Sequence, residues 1–175
     1  MLKDVYLKNM YTNEDMNEIY NLMENEEGIK EIFHGKQDRI SSSVAACLIK
    51  KEEITIGFFL LTTENLNNVL FLDVGIKKEY RSKGIGKAIC SEIIKQKISN
   101  EFIIAETRKD NVAANDSIRF QSSLVYSINN LNYYLLDKDR LQEFLESPTY
   151  IEFIKYCDSE KPKQYEYIKK IMDKK

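Results

Sequence analysis

Apolar residues recur along the chain with two different periods. Val44 to Ile49, Ile54 to Thr62 and Val69 to Ile76 are short apolar runs separated by polar turns at Lys50 to Glu53 and Glu64 to Asn68. Runs of this length and composition predict strands, and three in succession predict an antiparallel meander. Asp4 to Leu7 predicts a short first strand and Phe102 to Glu106 a fifth. Leu124 to Ile128 and Leu131 to Leu136 predict a hairpin turning at Asn129-Asn130. Helical spacing appears at Met16, Ile19, Tyr20 and Met23, after an Asn13-Glu14-Asp15 start that offers an N-cap and acidic first-turn residues. From about Gly86 to Ile98 the rows Ile85-Ile89-Ile93 and Cys90-Ile94-Ile98 predict a helix apolar enough to pack on a sheet. Asn25 to Arg39 is ambiguous, with a second helix around Ile29 to Phe33 and then a polar loop through Gly35 to Asp38. Beyond Leu136, the groups Leu141-Phe144-Leu145, Ile151-Ile154 and Tyr165-Ile168-Met172 predict two or three short helices punctuated by Pro148 and Pro162.

The connection between the Val69–Ile76 strand and the following helix carries the chemistry. It reads Arg81-Ser82-Lys83-Gly84-Ile85-Gly86-Lys87. Glycines let the chain turn tightly and let main-chain N–H groups approach a ligand. The first turn of a helix adds unpaired donors and partial positive charge. Together these make a seat for a phosphate or pyrophosphate, with Arg81, Lys83 and Lys87 as surrounding cations. A nucleoside-triphosphate loop does not fit, since Ala88 stands where Ser or Thr is required. A dinucleotide fingerprint does not fit either, since Ile89 stands at the third glycine.

What the stretch resembles is the acyl-CoA-binding motif of the GNAT superfamily of N-acyltransferases, [Arg/Gln]-x-x-Gly-x-[Gly/Ala], matched by Arg81, Gly84 and Gly86. Val74 to Tyr80 resembles the family's strand-and-turn lead-in, and Ile56-Gly57-Phe58 its usual pair one strand earlier. A second stretch, Thr107 to Asn115, is similar to the family's strand-to-helix junction, with Asn111 and Ala114 in place. The predicted element order, β-α-(α)-β-β-β-α-β-α-β-β, is the family's order over residues 1–136. The fold class implied is α/β (α+β), a mixed, mostly antiparallel sheet of six to seven strands flanked by helices. Residues 137–175 form a helical extension expected to pack on the same domain.

Composition narrows the partners. A chain of 175 residues suits one domain, and a net charge of −2 gives no general pull toward nucleic acid or an acidic membrane. Cys47, Cys90 and Cys157 are odd in number and widely spaced. They fit neither a disulfide framework nor a metal site, and their apolar neighbours point to packing in a reducing cytosol. The N-terminus has neither signal-peptide character nor a membrane span, so the expected location is cytoplasmic.

The resemblance implies acetyl-CoA as cosubstrate and a primary amine as acceptor, joined by direct attack in a ternary complex. Ser82 and Ile85 complete the implied pyrophosphate seat of Arg81 to Lys87. The main chain of Val74 and Ile76 is implied to pair with the pantetheine arm, and Asn111, beside Ala114, to hold it from the other side; Asn111 also suits an ordinary helix cap. Asp73 is the only acid on its strand. It is either a base with a raised pKa or a carboxylate hydrogen-bonded to a neighbouring element. The family's usual acid, a Tyr seven residues after the motif Asn, is Ile118 here, and its Gly-Phe is replaced by Ser122-Ser123-Leu124. Ser117, Ser122, Tyr126 or water are the available substitutes. His34 is the only histidine, and Glu24-Asn25-Glu26-Glu27 an acidic run that suits a solvated helix end better than an amine site. These departures leave an alternative, a catalytically silent acyl-CoA-binding module of the same fold. A third reading is an unrelated phosphate binder. The acceptor's identity and the oligomeric state stay open, with dimers frequent in the family.

Overall fold

A computed structural model describes residues 3–96 and 100–159. Seven strands form one mixed sheet in the order β1-β2-β3-β4-β5-β7-β6. These are β1 (Val5–Asn9), β2 (Ser43–Lys51), β3 (Ile54–Thr63), β4 (Val69–Ile76), β5 (Phe102–Arg108), β6 (Ser122–Ile128) and β7 (Leu131–Leu136). Every neighbouring pair is antiparallel except β4–β5, which is parallel. A parallel pair needs a crossover connection, and the helix at Ile85–Gln96 supplies it between β4 and β5.

Among the described residues seven helices flank the sheet: α1 (Asn13–Asn25), α2 (Lys30–Phe33), α3 (Asp38–Ser41), α4 (Ile85–Gln96), α5 (Val112–Arg119), α6 (Leu141–Glu146) and α7 (Pro148–Ser159). One face of the sheet is covered by α4 and α5, through Ile85, Ile89, Cys90, Ile93 and Ile118. The other face is shared. The helices α1 to α3 bury Ile19, Met23, Phe33 and Ile40 against β2 and β3. At the far end, α6 and α7 bury Phe144, Phe153 and Tyr156 against β4, β5 and β7. Alternation along β4 therefore sends Leu70, Leu72 and Val74 toward α4, and Val69, Phe71 and Asp73 to the shared face.

Several boundaries differ from the expected ones. The cap of α1 is Thr12 rather than Asn13: its Oγ1 accepts from the Asp15 amide at 3.1 Å, and Asp15 Oδ2 accepts from the Thr12 amide at 3.2 Å. This reciprocal capping box satisfies two donors that an Asn13 cap would leave unpaired. The expected polar loop, Gly35 to Asp38, is non-helical up to Gln37 and then leads into the single-turn helix α3, anchored by buried Ile40. The turn between β2 and β3 is only Glu52-Glu53, because Lys50 and Lys51 remain in register with Thr55 and Ile54. The expected end of the fourth-strand helix at Ile98, and the apolar group Tyr165-Ile168-Met172, lie outside the described residues.

Candidate active site

The central geometric fact is the parting of β4 from β5. Their parallel register runs from Val69↔Phe102 to Leu72↔Ala105 and stops, although β4 continues to Ile76 and β5 to Arg108. On its outer side β5 stays paired with β7 as far as Arg108↔Leu131, so the strands open into a V. Val74 and Ile76 line one arm of it. Asn111 and Ala114 stand just past the other arm, at the start of α5. A strand edge left open inside a sheet presents N–H and C=O groups to any extended amide-bearing ligand.

The glycine turn lies past Ile76, at the open end of this V. Gly84 has φ +77° and a Cβ there would meet nothing within 4 Å, so backbone conformation and not crowding requires glycine. Ser82 is also left-handed at φ +60°. Helix α4 follows at Ile85, and the Ala88 amide closes the first helical bond onto the Gly84 carbonyl at 3.0 Å. The amides of Ile85, Gly86 and Lys87 precede that bond, at the end where helical donors lack helical acceptors. Gly86 packs against α5, where an added Cβ would sit 3.8 Å from Ser117.

The three cations are held differently. Arg81 folds back, donating from Nε to the Ile76 carbonyl at 2.8 Å and lying over Gly28, where a Cβ would come within 2.5 Å of its guanidinium. Lys83 lies 5.3 Å from the Tyr80 ring, and Lys87 3.4 Å from that of Phe120. Asn111 caps α5, accepting from the Ala114 amide at 3.2 Å through Oδ1. Its Nδ2 group is the part left for another partner.

Asp73 lies on the shared face, between the α1–α3 and α6–α7 layers. Arg39 Nε donates to Asp73 Oδ2 at 2.6 Å, and the same guanidinium reaches Thr62 Oγ1 at 3.2 Å and Glu64 Oε1 at 3.3 Å. The Asp73 and Arg39 side chains are 17% and 20% exposed. Burial pushes the Asp73 carboxyl above its usual range, opposed by Arg39 and Lys36 and assisted by Glu106. Glu106 stands on β5 just past the point of parting, on the same face and directly across from Tyr133. Burial first, and the Glu106 charge second, raise the Tyr133 hydroxyl beyond the ordinary range.

The other named residues lie elsewhere or are tied into the fold. His34 pairs with Glu24 through Nδ1 at 2.7 Å, and Glu27 with Lys78 at 2.8 Å. Ser117 and Ser122 donate to the carbonyls of Ala113 and Ile118. Tyr126 donates to Asp158 on α7, away from the V.

Sequence reasoning missed Arg39, Glu106 and Asn115. Asn115 is buried in α5; its Oδ1 accepts from Thr107, Asn132 and Tyr134, and its Nδ2 donates to the carbonyls of Arg108 and Asn111. This node fixes the β5–α5 junction that presents Asn111. An apolar-to-polar break at a buried helical position was the one signal available for it.

A family model described as the acetyltransferase (GNAT) family matches residues 10–120. The chain belongs to the GNAT acetyltransferase family. No curated protein sequence matches it. Among solved structures, the Campylobacter jejuni N-acetyltransferase PseH in complex with acetyl-CoA is 17% identical, with TM-score 0.52 over 77% of this chain and 99% of that one. The Vibrio cholerae spermidine N-acetyltransferase is 16% identical, with TM-score 0.57 over 78% and 95%. The structure of AAC(6')-Ib with acetyl-CoA is 15% identical, with TM-score 0.63 over 83% and 98%. At such identities these likenesses establish the fold. As a GNAT acetyltransferase the chain is an acyltransferase, and its acyl donor is acetyl-CoA. The V and the glycine turn fit that donor: an open amide edge for the arm, and main-chain donors at φ-constrained Gly84 for phosphates. Among the described residues no helix is long and apolar enough to cross a membrane.

Proposed function

We propose that this GNAT enzyme transfers an acetyl group from acetyl-CoA to a primary amine by direct attack in a ternary complex. The parting of β4 and β5 after Leu72 and Ala105 is the observation that carries the reading. It leaves the main chain of Val74 and Ile76 open to the two amides of a pantetheine arm, with Asn111 on the opposite arm. The Arg81–Lys87 turn lies at its open end, past Ile76, suited to the pyrophosphate. Positioning of this kind accounts for much of the acceleration in a two-substrate transfer.

The amine nitrogen would attack the thioester carbon, the C–S bond would break, and the nitrogen's proton would pass to a carboxylate directly or through water. Asp73 is the carboxylate we assign as that base. It reaches the shared face, where an amine can enter from the side opposite α4 and α5, and burial raises its pKa, the direction that makes a carboxylate a better proton acceptor. Ile118, in place of a phenol, leaves the departing thiolate to a solvent proton.

One observation favours the alternative of a catalytically silent acyl-CoA-binding module: Asp73 is already engaged by Arg39. Calorimetric titration with acetyl-CoA, CoA and ADP, repeated on Gly84→Asp, tests the donor site. Acetyl-CoA should bind more tightly than ADP, and the variant should lose it, since the substitution puts an anion and a strained φ into the seat. Equal binding by the variant would refute the assignment. Thiol release across a library of amines then separates enzyme from silent module.

A further inference from the structure

One large apolar side chain next to the phosphate seat has no partner in the core. Phe120, the residue that ends α5, is 64% exposed. Its ring carries the Lys87 ammonium 3.4 Å from its centroid, and Lys87 belongs to the first turn of α4. The position is not a loose surface end. Gln121, the next residue, donates from Nε2 to the Lys87 carbonyl at 3.1 Å and accepts from Ser91 Oγ at 2.6 Å, so the chain just past Phe120 is tied to α4 twice. One turn earlier on α5, Ser117 lies against Gly86. The ring is thus held beside the helix end that offers unpaired donors.

Leaving a phenyl ring in water forgoes most of its burial free energy, roughly 2 kcal/mol. What could cover it must bring phosphate to the α4 end and a flat apolar surface a few ångströms beyond. The donor of this family has that layout, since its pyrophosphate continues into a 3′-phosphorylated adenosine. We propose that Phe120 is the stacking platform for the adenine of acetyl-CoA, with Lys87 passing from the ring to the phosphates. Stacking on an aromatic side chain suits a purine because it uses the π face and needs no specific hydrogen bond. The inference rests on the reading that the Arg81–Lys87 turn takes the pyrophosphate.

The chain contains no tryptophan, so Phe120→Trp introduces a single indole at the site. Acetyl-CoA and 3′,5′-ADP should quench its fluorescence, and acetyl-pantetheine, which lacks the nucleotide, should not. Phe120→Ala should weaken acetyl-CoA by about 5- to 150-fold, the range for losing one base–aromatic stack. Its affinity for acetyl-pantetheine should stay at the wild-type value, and Phe120→Tyr should restore acetyl-CoA binding. Wild-type affinity in Phe120→Ala, or an indole indifferent to 3′,5′-ADP, would overturn the platform. If Gly84→Asp still abolished binding in that case, the pyrophosphate seat would stand without it. If wild-type protein bound no acetyl-CoA, seat and platform would fall together.

Discussion

Arg39 and Asp73, separated by 34 positions in sequence, meet at 2.6 Å on the face of the sheet that α1–α3 and α6–α7 share. The pair joins a one-turn helix to the strand that parts from its neighbour. It therefore couples the placement of α3 to the protonation of the one carboxylate on β4.

Removing Arg39 should show both effects. Arg39→Met takes from Asp73 the cation that is hydrogen-bonded to it, and the expected loss of stability is about 3 kcal/mol. The sign of its pH dependence follows from the shift. Asp73 already has a folded-state pKa above its unfolded value, so it lowers stability as pH rises through that window. Without Arg39 the folded pKa rises further. The difference between wild type and variant should then be smallest at low pH, where the carboxyl is protonated in both, and should grow as pH rises through the folded-state titration, as followed between pH 4 and pH 8. Urea unfolding at the two pH values measures it. If Asp73 is the base, the acid limb of the rate profile must move to higher pH in the variant. Lys36 and Glu106, which also act on Asp73, remain in place. An unmoved limb would leave Asp73 a structural partner of Arg39 only.

The glycines separate by mechanism. Gly84→Ala meets no atom within 4 Å but must hold φ +77°, which costs about 1 kcal/mol. Gly57→Ala puts its Cβ 2.3 Å from the Gly75 carbonyl oxygen, a clash between strands β3 and β4 that should cost about 3 kcal/mol. Gly86→Ala meets Ser117 at an ordinary 3.8 Å and should be neutral or slightly stabilising. Thermal unfolding of the three variants should give that order. Acetyl-CoA binding should survive Gly86→Ala, since the family's motif accepts alanine there.

Asn115 offers a test of how Asn111 is held. Asn115→Leu removes five hydrogen bonds and leaves the carbonyls of Arg108 and Asn111 without this donor. A loss of about 3 kcal/mol is expected, because several buried groups lose a partner together. If the node positions Asn111, KM for acetyl-CoA should rise while KM for the amine changes little. A uniform loss in both would mean that the node serves stability alone.

The limits of sequence reading follow from where each residue's partners lie. Strand β4 runs from Val69 to Ile76 as its apolar run suggested, and the glycine turn and Asn111 cap stand where local spacing put them. Those features are set by neighbours within a few positions. Arg39 gave no signal because its partners, Thr62, Glu64 and Asp73, are distant in the chain and its own helix is one turn long. Asn115 is polar, yet side chains from β5 and β7 satisfy its amide oxygen in the core. Phe120 is large and apolar, yet exposed. The side of the sheet that Asp73 takes became definite only with the packing of Leu72 and Val74 under α4.

The cysteines give the last prediction. Burial pushes the Cys47 thiol up to about 11 and the Cys90 thiol up to about 12. Cys157 is on the buried face of α7, in the cluster with Phe153 and Tyr156. A thiolate is the reactive species, so at pH 8 the native fold holds Cys47 and Cys90 almost wholly as thiols and keeps reagent from Cys157. An aromatic disulfide reagent should therefore titrate none of the three in the native protein within minutes and all three in denaturant. The rate of the slow native reaction should follow the opening of the fold, so a destabilising change such as Gly57→Ala should speed it in proportion to its effect on the unfolding equilibrium. A thiol that reacts fast in the native protein would place that cysteine outside the packed core.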